Sequence, residues 1–427
     1  MIDETQEART HQIEGELRAA MEEAIPRIQQ AHRWEMQILR WCMSDAALRT
    51  QILRFIDCLP ALESPREVVQ HLKEYFPLRS GVLPLPLRLG LAATSPRLIT
   101  AGAVASATRH TVSTMARLFL AGADLKEAFG RIGQLEGQGF QVSVDLLGEA
   151  TTSQAEAQRY TQRYLEIIRE WRSHLSSTPH LSLKLSSLAF PFEPVDPEGA
   201  WRQIRPRFSR ILQAAFEQGG FVNVDMEQVA LRDLTLTLTQ RTLDEQFPGE
   251  SRVGVVIQAY LKDSEEVTRG LIRWVISRKA PVTVRLVRGA YWDSEVIRSR
   301  QLGWPCPVYT EKAETDASFD RLTDLLFEHH DHLRIAVATH NLRSIAHAIA
   351  KAQELRAPQS HWEAQLLYGM GEAIQWAIHR HRIPVRIYTP VGELIPGMAY
   401  LVRRILENSS HNSFLAANLL EHERAAH

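Results

Sequence analysis

Eight short runs rich in Val, Ile, Leu and aromatic residues recur along the last two thirds of this chain, and they constrain its fold more than any other feature. They are VSVDLLG (142–148), LSLKLSS (181–187), FVNVDME (221–227), VGVVIQAY (253–260), VTVRLVRGA (282–290), RIAVATH (334–340), HWEAQLLYG (361–369) and VRIYTP (385–390). Most of the connecting segments carry helical periodicity, and strands alternating with helices imply βα units around a parallel sheet. Eight such units predict a (β/α)8 TIM-type barrel. Polar or ionisable residues stand at or near the C-terminal end of almost every run: Glu149, Lys184, Asp225, Gln258, Arg285, His340, Gln365 and Tyr388. In a barrel those ends converge on one mouth, where active sites of this architecture are built.

At 427 residues the chain is longer than a minimal barrel, and the strand pattern starts only near residue 137. The preceding part shows helical spacing instead, as in Ile25 and Ile28, then Trp34, Ile38 and Trp41, then Ile52, Phe55 and Ile56. We therefore expect a helical arm and α-domain over 1–136 and the barrel over 137–427, with the boundary around 125–137 near Gly130 to Gly137. Proline clusters at Ser64-Pro65, Leu83 to Pro86 and Ser95-Pro96 divide the helical part.

A net charge of −1 leaves no basic face for a nucleic acid. The acidic first 30 residues, where Asp3, Glu4, Glu7, Glu14, Glu16, Glu22 and Glu23 outnumber Arg9, Arg18 and Arg27, point the same way. Cys42, Cys58 and Cys306 are too few and too scattered for a disulfide framework or a cysteine zinc site, which fits a reducing, cytoplasmic compartment. The N-terminus lacks the pattern of a signal peptide, and the small-residue tract Ala101–Ala116 carries Arg109 and His110, which marks a packed helix and not an anchor. Glu328-His-His-Asp-His332 reads as a polar turn before the sixth strand; no metal site is expected. No glycine-rich dinucleotide fingerprint, phosphate loop, nucleophile elbow or zinc-protease pair occurs.

Two constellations carry chemistry. Arg403, Arg404 and Glu407 follow the eighth run at spacings that put both guanidinium groups and the carboxylate largely on one helical face, and paired guanidinium groups suit a carboxylate ligand. Arg285-Leu-Val-Arg-Gly-Ala-Tyr-Trp292 places Arg285 and Val287 on one side of the fifth strand before a close-approach Gly289-Ala290. Arg285 inside a barrel needs an acceptor. An ion pair with Asp225 or Asp145 and an electropositive contact to a cofactor both satisfy that need. Ala338-Thr-His-Asn341 ends the sixth run in hydrogen-bonding groups.

The segments DLLGEA (145–150), LSLKLSSL (181–188), VVIQAY (255–260), VRLVRGAYWDSE (284–295), PVYTEKAETDASF (307–319), ATHN (338–341), LLYGMGE (366–372), RIYTPVG (386–392) and YLVRRILENSSHNSF (400–414) resemble the proline dehydrogenase domain of proline utilization A flavoenzymes. The resemblance covers about 140–415, and more weakly the N-terminal arm and α-domain. It implies a distorted (β/α)8 barrel that binds FAD and oxidises L-proline to Δ1-pyrroline-5-carboxylate by hydride transfer from C5 to flavin N5, passing electrons to a membrane quinone from the inner face of the cytoplasmic membrane. By resemblance, Arg403, Arg404 and Lys184 hold the proline carboxylate, Tyr388 and Leu367 pack on the ring, Asp225 stands near the tyrosine, Glu149 pairs with Arg404 as a gate, and Glu407 supports the site.

The positions similar to FAD contacts are Gln258, Arg285, Val287, Gly289, Ala290, Trp292, Thr310, Lys312, Thr315, Thr339, His340, Asn341, Asn412, Ser413 and Phe414. Departures from the family pattern are Asn412 for Thr, His411 for Asn, Met226 for a small residue and Arg288 for Lys. The family's chains continue into an aldehyde dehydrogenase that consumes the product. We expect this chain to be one domain of such a protein, or to act beside a separate aldehyde dehydrogenase. Hydroxyproline oxidation and a non-catalytic flavin redox sensor are the alternative functions.

Overall fold

The apolar runs do form eight strands. In the computed structural model, which describes residues 4–31, 51, 54–56, 58–76, 98–117, 119–147 and 151–393, they are β1 (Gln141–Leu146), β2 (His180–Leu183), β3 (Phe221–Val224), β4 (Val253–Gln258), β5 (Thr283–Val287), β6 (Arg334–Ala338), β7 (Trp362–Leu367) and β8 (Val385–Val391). They lie in sequence order in a closed barrel, and the registered neighbour pairs are parallel, so no strand is an edge. Every residue of β2 and β4 is buried, as expected where helices cover one face and the barrel interior the other. The register sets the mouth: Gln258 stands beside Val287, and Leu367 beside Tyr388.

The helices in chain order are α1 (Glu4–Ala31), α2 (Pro65–Tyr75), α3 (Leu98–Ala116), α4 (Leu125–Gly137), α5 (Gln154–His174), α6 (Pro197–Glu217), α7 (Val229–Gln246), α8 (Ser264–Arg278), α9 (Trp292–Leu302), α10 (Lys312–Phe327), α11 (Leu342–Glu354) and α12 (Glu372–Arg380). Their starts are chemically marked. Ser153 accepts from Glu156 N at the start of α5, and Asp196 accepts from Gly199 N at the start of α6. Ser64-Pro65 opens α2: Pro65 fills the first turn, where no N–H is needed, and Ser64 with Glu67 forms a reciprocal capping box.

The chain divides into two compact units, Met1–Ile25 with Leu125–Pro390, and Pro26–Asp124 with Val391–His427. In the first, the start of α1 lies against the barrel's outer helices. Thr10, Ile13, Leu17 and Met21 are buried at helical spacing, and Glu7 accepts from Arg343 of α11 at 2.9 Å while Gln6 donates to Asp324 of α10 at 3.3 Å. The acidic N-terminus thus pairs with basic groups of its own unit. In the second, α2 and α3 pack together, and Phe55 meets Phe76 edge-on at 5.8 Å. Tyr75 OH and Cys58 Sγ stand 3.3 Å apart. Residues 101–116 are helical, as the sequence implies, and among the described residues no helix is long and apolar enough to cross a membrane. Trp34, Ile38, Trp41, Ile52 and the prolines at 84, 86 and 96 lie outside the described residues.

One polar residue sits lower than its place in the sequence suggests. Gln365 donates to Glu363 at 2.6 Å, and Glu363 in turn accepts from Arg386 at 2.7 Å, which also reaches Val142 O. That network belongs to the N-terminal end of the barrel, because Glu363 and Arg386 enter β7 and β8 there.

Candidate active site

Side chains of strands that are not neighbours meet inside the barrel, and Asp225 is their hub. It follows β3 directly, and its carboxylate accepts from Arg285 Nη1 of β5 at 2.5 Å, from Tyr388 OH of β8 at 2.8 Å and from Asn223 Nδ2 at 3.0 Å. Arg285 is 3% exposed, and its guanidinium carbon lies 5.3 Å from the Tyr388 ring centre. Of the two readings of Arg285, the ion pair to Asp225 is therefore present. It does not use the whole group, since Arg285 Nε is buried with no hydrogen-bond partner among the described residues.

Below Arg285 runs a line of small polar groups. Arg285 Nη2 donates to Ser182 Oγ at 3.0 Å, Ser182 and Ser143 share a 3.0 Å hydroxyl contact, and His180 Nδ1 lies 2.9 Å from Ser143 Oγ. Burial, with Arg386 and Arg285 adding positive charge, pushes His180 well below the usual imidazole range. The contacts run as one chain from Arg285 through Ser182 and Ser143 to His180; a neutral ring accepting at Nδ1 would make every donor in it point toward His180. The chain fixes the guanidinium from beneath while Asp225 fixes it from the side.

Lys184 stands at the end of β2 and donates to buried Asp145 at 3.3 Å. Glu227, two residues past Asp225, is buried, and this raises its carboxyl above the usual range. Beside it Gln258 donates to Glu227 O at 3.0 Å, while Gln258 Oε1 is buried with no partner among the described residues.

Gly289 follows β5 with φ of +129°, and a Cβ there would lie 2.5 Å from the Tyr260 ring. Tyr260 packs with Val296, Val308 and Trp292, and Trp292 Nε1 donates to Tyr309 O at 2.8 Å. Arg288 turns away from Arg285: it donates to Asp316 at 2.8 Å, to Ser344 at 2.9 Å and to Thr339, and lies over Phe319. Against the effect of burial, Arg288 and Lys312 hold the Asp316 carboxyl below its usual range. Asn341 caps α11 through Ser344 N at 2.9 Å. His340 Nε2 accepts from Leu367 N at 3.2 Å, and burial lowers the His340 pKa to about 4. It is a neutral acceptor at pH 7.

These positions test whether a flavin fits. Among the described residues, two polar atoms without hydrogen-bond partners, Gln258 Oε1 and Arg285 Nε, lie on adjacent strands, and Gly289, just past the end of the second of these strands, lets the backbone pass close to the Tyr260 ring. A planar ring system carrying both donor and acceptor edges matches that set. Val287 ends β5 two residues before Gly289 and Ala290 follows it, while Thr310 precedes α10 and Lys312 and Thr315 lie in its first turn.

Thus Lys184, Asp225, Gln258, Arg285, Val287, Gly289, Ala290, Trp292, Thr339, His340, Asn341, Leu367 and Tyr388 gather at the C-terminal ends of β2 to β8. Glu149, Arg403, Arg404, Glu407, Asn412, Ser413 and Phe414 lie outside the described residues. Sequence reasoning did not single out Asn223, Ser182, Ser143, His180 or Glu227. The available signal was small polar residues alternating with aliphatics in strands whose two faces are both buried.

With this geometry in hand, residues 128–417 match the sequence profile of the proline dehydrogenase family. The chain belongs to that family. Residues 7–119 match the N-terminal domain of proline utilization A, so the two matches follow each other in the order of a PutA-type protein. The crystal structure of proline utilization A from Bdellovibrio bacteriovorus, inactivated by N-propargylglycine, is similar with TM-score 0.82 and 34% identity, covering 96% of this chain and 43% of that one. Bifunctional protein PutA of Escherichia coli K12 is 32% identical over 314 residues, 70% of this chain and 24% of the relative. Proline dehydrogenase 1 of Bacillus subtilis is 28% identical over 306 residues, 72% of this chain and 91% of the relative. The chain thus spans about a quarter of the curated bifunctional relatives it matches, 24% of each.

Proposed function

We propose that this barrel oxidises L-proline to Δ1-pyrroline-5-carboxylate with bound FAD. The observation that carries the reading is the Asp225 hub, which locks Arg285 and Tyr388 together in the mouth of a proline dehydrogenase family barrel. FAD, when bound, supplies the acceptor for two electrons and a proton from the C5–H bond. Gln258, Arg285, the Gly289 turn, Trp292 and the Thr339–Asn341 segment would hold it.

The protein's own part is position and charge. Lys184, with Arg403 and Arg404, takes the substrate carboxylate; Leu367 and Tyr388 bound the ring; Glu149 pairs with Arg404 as a gate; and Glu407 supports the site beside the cofactor. Arg285 is a fixed cation, held by Asp225 and Ser182, so it needs no rearrangement as negative charge grows beside it. The ring nitrogen must lose its proton before hydride leaves, so turnover rises from neutral toward alkaline pH. Tyr388 is anchored through its hydroxyl to Asp225 and has little freedom to make way for a ring substituent, which favours proline over hydroxyproline. A membrane quinone is the proposed electron acceptor, at the inner face of the cytoplasmic membrane. The product passes to an aldehyde dehydrogenase, in the same or a separate chain.

The test is steady-state turnover of the FAD-loaded chain with L-proline and a soluble quinone, with the product trapped as its o-aminobenzaldehyde adduct. Turnover of proline that exceeds that of hydroxyproline supports the reading. A flavin-loaded chain that forms no adduct contradicts it and leaves the redox-sensor function in its place.

A further inference from the structure

Three donor groups that proline chemistry does not use meet at the opposite end of the barrel. His330 and Asp331 lie in the turn after α10, and His361 ends the turn Gln359–His361, immediately before β7. The sequence alone shows Glu328 to His332 as a polar turn and gives no sign that a histidine some 30 residues later joins it. Barrel closure brings them together, because Ile335 of β6 is registered against Trp362 of β7. Both histidines are held by their own backbones: His330 N donates to Phe327 O at 3.1 Å and His361 N to Pro358 O at 2.9 Å. Beneath them Phe327 and Trp362 pack edge-on at 5.5 Å.

The two rings point the same nitrogen at each other. His330 Nδ1 and His361 Nδ1 are 3.5 Å apart, and Asp331 Oδ1 is 3.4 Å from His330 Nδ1. One ligand atom from each of the three residues falls within 4.8 Å of the other two. Two donors each about 2.1 Å from a tetrahedral ion stand about 3.4 Å apart. The two shorter separations already have that spacing.

Burial and the nearby Arg334 charge lower the His361 pKa. Arg334 is the opposing charge. Its guanidinium is turned onto backbone, donating to Leu333 O at 3.0 Å and His330 O at 3.4 Å, and the carboxylate of Asp331 offsets it.

We propose that His330, Asp331 and His361 form a site for a borderline divalent transition-metal ion, Zn2+ foremost, that braces the turn before β6 against the turn before β7. Two imidazole nitrogens and one carboxylate select such ions over Mg2+ and Ca2+, and leave a fourth position for water. Asp331 is largely exposed, which leaves the site open to ions from solution.

The experiment uses the full chain stripped with a chelator and dialysed. Zn2+ binding is measured by competition with a chromophoric chelator, and Co2+ binding by visible absorption. Because the chain has 17 histidines, the readout is the difference between wild type and variants. His361→Gln and His330→Gln, each checked for folding by circular dichroism, are both expected to lose one equivalent or to weaken it at least about tenfold. Zn2+ is expected to raise the wild-type unfolding temperature and not theirs. His329→Gln, whose ring is committed to Leu325 O, is expected to bind like wild type. Unchanged stoichiometry and affinity in both His361→Gln and His330→Gln overturns the proposal, as does displacement of Zn2+ by equimolar Mg2+.

Discussion

Asp225→Ala removes the carboxylate that three buried donors share, and the structure bounds the cost. Arg285, 3% exposed, loses a partner at 2.5 Å and keeps its hydrogen bond to Ser182. Stranding a buried charge in this way costs about 3–5 kcal/mol. Tyr388 OH and Asn223 Nδ2 lose their acceptor as well, each worth about 1–3 kcal/mol if it finds no substitute. Relaxation and entering water reduce the sum, so we expect a loss of about 4–6 kcal/mol. At about 2–4 °C per kcal/mol for a barrel of this size, the midpoint falls by about 8–24 °C.

Arg285→Ala leaves Asp225 still bonded to Tyr388 and Asn223, so its loss is smaller, about 2–4 kcal/mol. The double variant has no stranded charge. It is therefore expected to be more stable than the sum of the single losses implies, by about 2 kcal/mol or more. Denaturant unfolding of the four proteins, followed by far-UV circular dichroism, measures this coupling. Additivity within about 0.5 kcal/mol would refute the view that the two groups form one desolvated pair.

Three further outcomes are expected. Gly289→Ala puts a Cβ into the Tyr260 ring at an unfavourable φ, so it is expected to weaken FAD retention, read by equilibrium dialysis, and to destabilise by about 1–3 kcal/mol; retention equal to wild type contradicts the turn's assigned role. His340 has a folded-state pKa of about 4, below the 6.5 of an unfolded imidazole, so its contribution is complete above pH 6.5 and is lost as pH falls toward 4; His340→Gln is expected to show a shallower acid decline of unfolding temperature than wild type over that window. Arg404→Lys keeps the charge but not the paired N–H geometry, and is expected to lower kcat/KM for proline by about 30- to 160-fold, or about 2–3 kcal/mol, with flavin content unchanged. A KM within about twofold of wild type would return the arginine pair to a surface role.

Much of this fold was written in local pattern. Each run of β-branched and aliphatic residues became a strand because it had to be buried on both faces, and in the folded chain Ser153, Asp196 and Asn341 cap the helices that follow them through their side chains. The mouth was legible too, since Lys184, Asp225, Gln258 and Arg285 stand at or near the ends of apolar runs where fold alone gives no reason for charge or amide. The contacts that escaped depend on pairings between distant strands. Whether Arg285 would face Asp225 or Asp145 could not be decided from alternation, which gives a side and not a partner. Ser143, Ser182 and His180 look like ordinary polar punctuation until the barrel closes around them. Gln365 shows the reverse error: it lies late in its run, yet its partner Glu363 draws it toward the barrel's other end. His361 likewise joins His330 only through β6–β7 pairing.

The most direct measurement of proline oxidation by this barrel is an anaerobic titration of the FAD-loaded chain with L-proline, followed at the flavin absorption bands. Stoichiometric bleaching by proline is expected, with hydroxyproline far less effective and Arg285→Ala bleaching slowly even when its flavin content matches wild type. Flavin that stays oxidised in saturating proline would contradict the assignment.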